Sequence, residues 1–237
     1  MPHYNNNFEL DQRLFMTEVT KPPRQILSNI FAFPPNRDTL GATAYFIVEK
    51  NANILIDCPA WNDSNGEFLQ EYGGVRWLFL THRGGISQKI HQIQACFDCE
   101  VVIQQQEAYL LPEIKVTPYQ QEFKFNSSCS AFWTSGHSPG SSCVYYNAHG
   151  GVLFTGRHLL PNQEIKPFPL RTAKTFHWFR QLRNVAILRE VFSPHTLHYI
   201  CPGANTGYLR GQGVISNAYQ GLSDLDLDAL RQVTALL

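Results

Sequence analysis

No run of apolar residues in the sequence approaches the roughly eighteen that a membrane-spanning helix needs. The first segment, MPHYNNNFELDQRLF, has no basic stretch followed by an apolar one. Neither sign of charge is in excess: 19 Lys and Arg balance 19 Asp and Glu, and only 16% of residues are charged. Without a basic patch there is no electrostatic footprint for nucleic acid or anionic lipid. Neither partner is expected, and a cytoplasmic location is the default. Also absent are the Gly-x-Ser-x-Gly elbow, the phosphate-binding loop ending in Gly-Lys-Ser/Thr and the dinucleotide fingerprint, which argues against serine hydrolases, P-loop nucleotidases and nicotinamide-dependent oxidoreductases. Cysteines number six in 237 residues, too sparse for a disulfide framework and expected as reduced thiols. Cys96 and Cys99 form a Cys-x-x-Cys pair, but no second pair exists to complete a structural zinc site. The pair closes a helix instead of opening one, so helix-end packing is preferred over a redox role. Cys58 is expected to be a buried thiol.

What is present is a succession of short β-rich runs separated by turn residues: 29–33, 43–50, 53–59, 77–82, 100–104, 123–126, 130–137, 142–148 and 151–156. Hairpins are predicted across Asn51 and Ala52 and across His149 and Gly150. Helical periodicity is predicted over Ser87–Phe97, Gln105–Leu110, Thr172–Arg189 and Asp224–Leu237. Residues 1–25, polar and then proline-bearing at Pro22 and Pro23, are expected as an arm, and 26–237 as one domain including a C-terminal helix. Strands with interspersed helices predict an α/β sandwich.

Four segments carry a family likeness: NILIDCP (53–59), WLFLTH (77–82), TSGHSPGSSCVYY with GGVLFTGRHLL (within 134–160) and HYICPGANTG (198–207). In this order and spacing the chain resembles the metallo-β-lactamase superfamily. The resemblance implies an αββα sandwich with mixed, largely antiparallel sheets, and a hydrolase site holding two metal ions. The family's His-x-His-x-Asp-His motif here reads His82, Arg83, Gly84, Gly85, Ile86, Ser87. His137 matches the next ligand, but Arg157 stands where the family has its metal-bridging aspartate, and Ala204 where it has its last histidine.

Two neutral imidazoles without an anionic ligand are a poor donor set for a catalytic metal, and a guanidinium, protonated at neutral pH, repels a divalent cation. No cofactor is therefore expected, with a single zinc or other divalent ion held by His82 and His137 as the alternative. Asp57, His82, His137 and Arg157 are the catalytic candidates, expected as a salt bridge or shared polar network. Arg157 with backbone amides of Gly84, Gly85 and Ser87 could cradle a small anion; the other reading of the glycines is a tight turn with Ser87 capping a helix. Asn205 and Tyr208 are further substrate-binding candidates on a loop. Strand alternation predicts that His158 points away from Arg157, and His91 is expected on a helix surface. Lys174, His177 and Arg180 share a helical face that either rims the site or meets solvent, while Phe176 and Trp178 are expected in the core. Two functions remain: a binding or regulatory protein with a remodelled, metal-free site, or an atypical hydrolase of an ester, thioester or lactone-like substrate. The second would use one weakly held metal or a histidine base, with Arg157 as oxyanion stabiliser.

Overall fold

Alternation along short β-branched strands explains the layers. In β4 (Ile54–Ile56), Ile54 and Ile56 point into one cluster and Leu55 into another; in β5 (Trp77–Leu80), Phe79 joins the first and Leu78 and Leu80 the second. Strands buried on both faces need cover on both, and the computed structural model supplies it. It describes residues 21–50, 52–205, 207–209 and 212–236.

Seven strands form the first sheet in chain order: β1 (Arg24–Leu27), β2 (Ile30–Ala32), β3 (Tyr45–Ile47), β4, β5, β6 (Glu100–Gln104) and β7 (Val116–Tyr119). The β1 to β4 neighbours run antiparallel and the β4 to β7 neighbours parallel. The second sheet contains β8 (Glu122–Lys124), β9 (Cys129–Trp133), β10 (Ser142–Tyr146), β11 (Val152–Gly156), β14 (Tyr199–Pro202) and β15 (Ile215–Ser216), with β11 and β14 parallel and the rest antiparallel. A small ribbon, β12 (Leu160–Pro161) with β13 (Pro167–Phe168), lies between β11 and β14 in the chain.

Between the sheets lies a core of Ile54, Ile56, Phe79, Val102, Val144, Val152 and Phe154. Outside the first sheet, Leu69 of α1 (Asp63–Glu71) and Ile90 and Ile93 of α2 (Ile90–Phe97) cover Leu55, Leu78 and Leu80. Outside the second, Val185 and Leu188 of α3 (Trp178–Val191) and Ala218 and Leu222 of α4 (Ala218–Ser223) cover Cys143 and Leu153. Helices, two sheets and helices in succession are the αββα sandwich.

Several boundaries differ from the sequence reading. Of the helix expected over Asp224–Leu237 only the short α5 (Leu227–Arg231) forms: Asp224 instead caps the end of the preceding α4, and the Asp226 carboxylate starts α5 by accepting from the amides of Asp228 and Ala229. The α3 helix starts at Trp178, not Thr172, because the His177 ring caps it by accepting from Arg180 N. Trp178 is in the core, but Phe176 precedes the helix and is half exposed. Ser87 does not cap α2: its hydroxyl closes a turn on Lys89 N, and the helix begins three residues later. The 105–110 segment forms only a 3-10 turn at Ala108–Leu110. Strand β1 begins at Arg24, inside the segment expected as an arm; residues 1–20 lie outside the described residues.

Candidate functional site

Strands β4, β5, β11 and β14 deliver their C-terminal ends to one rim, and that rim is where the sheets are stitched together. Ser142 N donates to Thr81 O (2.8 Å), Thr43 N to Gly203 O (2.8 Å) and Tyr45 Oη to Pro202 O (2.8 Å), while Gly203 N donates to Gly156 O (2.7 Å) between neighbours of the second sheet. Asp57 leaves β4 in the left-handed region (φ 60°), a conformation that costs most residues about 1 kcal/mol but that Asp tolerates. The turn aims its carboxylate along the end of β5.

There the carboxylate accepts two hydrogen bonds from Thr81: from the amide (2.8 Å) and from the hydroxyl (2.7 Å). Having donated its proton to Asp57, the Thr81 hydroxyl accepts from His82 Nδ1 at 2.9 Å. This chain places the imidazole proton on Nδ1 and leaves a lone pair on Nε2, which is buried and has no hydrogen-bond partner. The His82 and His137 rings meet edge to face, 5.3 Å between centroids. Thr81 was read only as part of the strand, and its bridging role is new.

The two glycines after His82 are there for close approach. A Cβ on Gly84 would sit 2.8 Å from His82 Nε2, and one on Gly85 would sit 2.3 Å from Asp57 Oδ1. Gly156, at φ 51°, is pressed against Thr81 Oγ1 in the same way (2.4 Å). Of the amides expected to cradle an anion, Gly85 N donates instead to His82 O within a tight 3-10 turn, and the Ser87 hydroxyl accepts from Lys89 N.

Arg157 follows Gly156 directly. No salt bridge joins it to Asp57; its Nη2 donates to Leu40 O (3.0 Å) at the tip of the β2–β3 loop, and its buried Nε has no partner. Its influence on Asp57 is through space. Burial raises the Asp57 carboxyl to about 6, against the opposing pull of the Thr81 hydrogen bonds and, more weakly, of Arg157. Burial lowers His137 to about 4, assisted by the charges of Arg157 and Arg83. His82 is pushed well below the usual histidine range by burial, then by His137, Arg157 and Arg83. At neutral pH the site therefore holds neutral imidazoles.

His158 was expected to face away by strand alternation, but β11 ends at Gly156 and alternation does not extend to it. It is fully buried, both ring nitrogens lack partners, and burial together with nearby His137 lowers it to about 3. His91 is exposed, with Nδ1 3.1 Å from Gln88 O. Asn205 accepts from Gly207 N within a turn, and Tyr208 is half exposed on the same loop. Cys58 is buried; Cys96 is exposed and Cys99 buried, both as free thiols.

A second pair went unnoticed in the sequence. Arg83, read only as a lost ligand, donates through Nε to Oε1 of Glu107 at 2.8 Å, and the Glu107 side chain is completely buried. Gly140 makes room for that carboxylate, since a Cβ there would meet Glu107 Cγ at 2.8 Å. The partners are 24 residues apart, on separate loops, so no local pattern joined them.

Among the described residues no three His, Cys, Asp or Glu side chains come together to hold an ion. The charges that act on His82 and His137 include two guanidiniums, Arg157 and Arg83, while the Asp57 carboxylate is occupied by Thr81 and that of Glu107 by Arg83. The set does not fit a dinuclear centre.

Comparison with solved structures shows the same fold. A metallo-β-lactamase family protein of Thermus thermophilus aligns with a TM-score of 0.63 at 16% identity, covering 87% of this chain and 81% of that one. The DIM-1 metallo-β-lactamase gives 0.61 at 17%, covering 88% and 99%. A quorum-quenching N-acyl homoserine lactone hydrolase gives 0.52 at 15%, covering 69% and 79%. No family model matches the sequence, and no curated protein does. The chain thus has the metallo-β-lactamase fold, a mixed α/β sandwich of two large sheets.

Proposed function

We propose that this is a non-canonical protein of the metallo-β-lactamase fold whose remodelled site acts in binding or regulation, taking a small anion, and not in metal-dependent hydrolysis. The observation that carries the reading is the position of Arg157. It follows the glycine packed against Thr81 and His82, where the resemblance puts a metal-bridging acid, and its buried Nε has a proton to donate and no acceptor. Buried polar groups are almost always satisfied, and a guanidinium in low-dielectric surroundings favours an anion.

A second reading has its own support. The Asp57–Thr81–His82 chain orients an imidazole with a bare Nε2, the form a general base takes. A histidine-based hydrolase of an ester, thioester or lactone is therefore the alternative, and one structural relative is named as a lactone hydrolase.

Titration calorimetry of the purified protein with phosphate, acetate and citrate tests the first reading, alongside elemental analysis and hydrolysis assays on lactone and thioester substrates with and without chelator. Saturable anion binding weakened at least tenfold in Arg157→Ala is expected. Zinc, iron or manganese that survives dialysis, with turnover lost on chelation, overturns the proposal. Chelator-resistant turnover abolished in His82→Gln transfers it to the second reading.

A further inference from the structure

Outside this site, a cleft of about 370 Å³ lies between the end of β9 and α3. None of Asp57, His82, His137 or Arg157 lines it. One wall is the strand end Phe132–Ser135. The other is Arg180, Arg183, Asn184, Ile187 and Leu188, spaced three and four apart and so on one face of α3. The volume falls in the range of small-molecule sites.

Its chemistry is lopsided. Two guanidiniums line the cleft and no carboxylate does. Neither Arg180 nor Arg183 has an ion-pair partner among the described residues. Like charges one turn apart on a helix destabilise each other unless an anion intervenes. The wall is braced in place: Asn184 Nδ2 donates to Ser135 O (2.6 Å), Arg180 Nη1 lies 3.4 Å from Ser135 Oγ, and the Arg180 guanidinium lies over the Phe176 ring at 5.8 Å. Besides the polar Gln121 and Thr134, the lining carries an apolar strip of Phe132, Trp133, Ile187 and Leu188, with Phe132 partly exposed, Leu188 buried and Ile187 half in solvent. Arg180, read from sequence as a rim residue of the histidine site or a solvated charge, belongs to this cleft.

We propose that the cleft binds a small anionic amphiphile, with a carboxylate or phosphate head between Arg180 and Arg183 and an aliphatic or aromatic body along Phe132, Ile187 and Leu188. The proposal is independent of what occupies the histidine site. Guanidinium pairs grip planar or tetrahedral oxyanions through several parallel hydrogen bonds, and the adjacent apolar strip supplies affinity that a bare inorganic anion would not gain.

The full chain is titrated with octanoate, octyl phosphate, octanol, octylamine and acetate, followed by calorimetry and by tryptophan fluorescence. Of the four tryptophans, only Trp133 lines the cleft. Octanoate or octyl phosphate should saturate, with the fluorescence change lost in Trp133→Phe, while octylamine shows no saturable binding and acetate binds at least tenfold more weakly. Arg180→Ala/Arg183→Ala should lower the affinity tenfold or more. Arg183→Glu alters one exposed side chain and serves if the double variant fails to fold; it should weaken binding by a similar factor. Equal binding of octanol or octylamine, absence of saturation by either anion, or unchanged affinity in Arg183→Glu overturns the proposal. So does loss of binding in Arg157→Ala with retention in Arg183→Glu, which would move the ligand to the histidine site.

Discussion

Thr81 gives both its amide and its hydroxyl to the Asp57 carboxylate, at 2.8 and 2.7 Å, so that one residue satisfies a fully buried acid and hands the polarity on to His82. Replacing Thr81 with Val keeps the shape and deletes the hydroxyl. That strands one carboxylate oxygen and the His82 Nδ1 proton, and a loss of about 2–4 kcal/mol is expected in urea unfolding. Thr81→Ser, which retains the hydroxyl, should lose less than half as much; equal losses would mean that packing of the methyl group dominates.

Gly85 has negative φ, so its requirement is space and not backbone freedom. Gly85→Ala drives a methyl to 2.3 Å from Asp57 Oδ1, and overpacking of this kind costs about 1–3 kcal/mol. For a domain of this size a thermal midpoint lower by roughly 2–10 °C follows. An unchanged midpoint would show that the carboxylate can step aside.

Acid stability should reflect two opposed titrations. His137, lowered from 6.5 to about 4, stabilises the fold above pH 6.5, and that contribution is lost as pH falls through 4; it amounts to roughly 3 kcal/mol at most. His158, lowered to about 3, acts in the same direction and is lost at lower pH. Asp57, raised from 3.8 to about 6, works the other way: its contribution is complete below pH 3.8 and is lost as pH rises through 6. Between pH 4 and 6 it offsets one histidine. Stability measured by denaturant at successive pH values should rise from pH 3 to 6.5, and His137→Gln should flatten the rise. A steeper rise in that variant would contradict the assignment.

The Arg83–Glu107 pair sets a buried carboxylate against a guanidinium whose side chain is 43% exposed. Arg83→Met leaves Glu107 buried without a counter-charge and should cost about 1–3 kcal/mol, discounted for solvent screening of the exposed partner. Arg83→Met/Glu107→Gln should recover most of that loss, as a double-mutant cycle in urea would show. No recovery would mean that Arg83 contributes through its aliphatic stem.

The layers and the strand ends were legible because they follow from local patterns: period-two alternation in NILID and WLFL, turn residues between them, and the Thr-His and Gly-His-Ser-Pro-Gly segments. Helix limits were less legible because single side chains decide them, such as the His177 ring and the Asp226 carboxylate. The site was legible as a set of positions and not as a set of contacts. Asp57 reaches His82 only through Thr81, and Arg157 reaches a carbonyl at Leu40, 117 residues away, instead of the expected carboxylate. Glu107 escaped notice for the same reason: its partner is fixed by how two loops pack, which composition and spacing do not encode.

Because the two sheets are consecutive in the chain, a cut in the turn after Tyr119 would leave one sheet on each fragment. Asp57, Thr81, His82 and Arg83 would stay with the first piece; His137, Arg157 and the whole α3 cleft, Gln121 included, would go with the second. The histidine site is thus a property of reassembly: neither half contains it, and its recovery on mixing would report that the sheets have found their register. The cleft along α3 would be carried by one half alone.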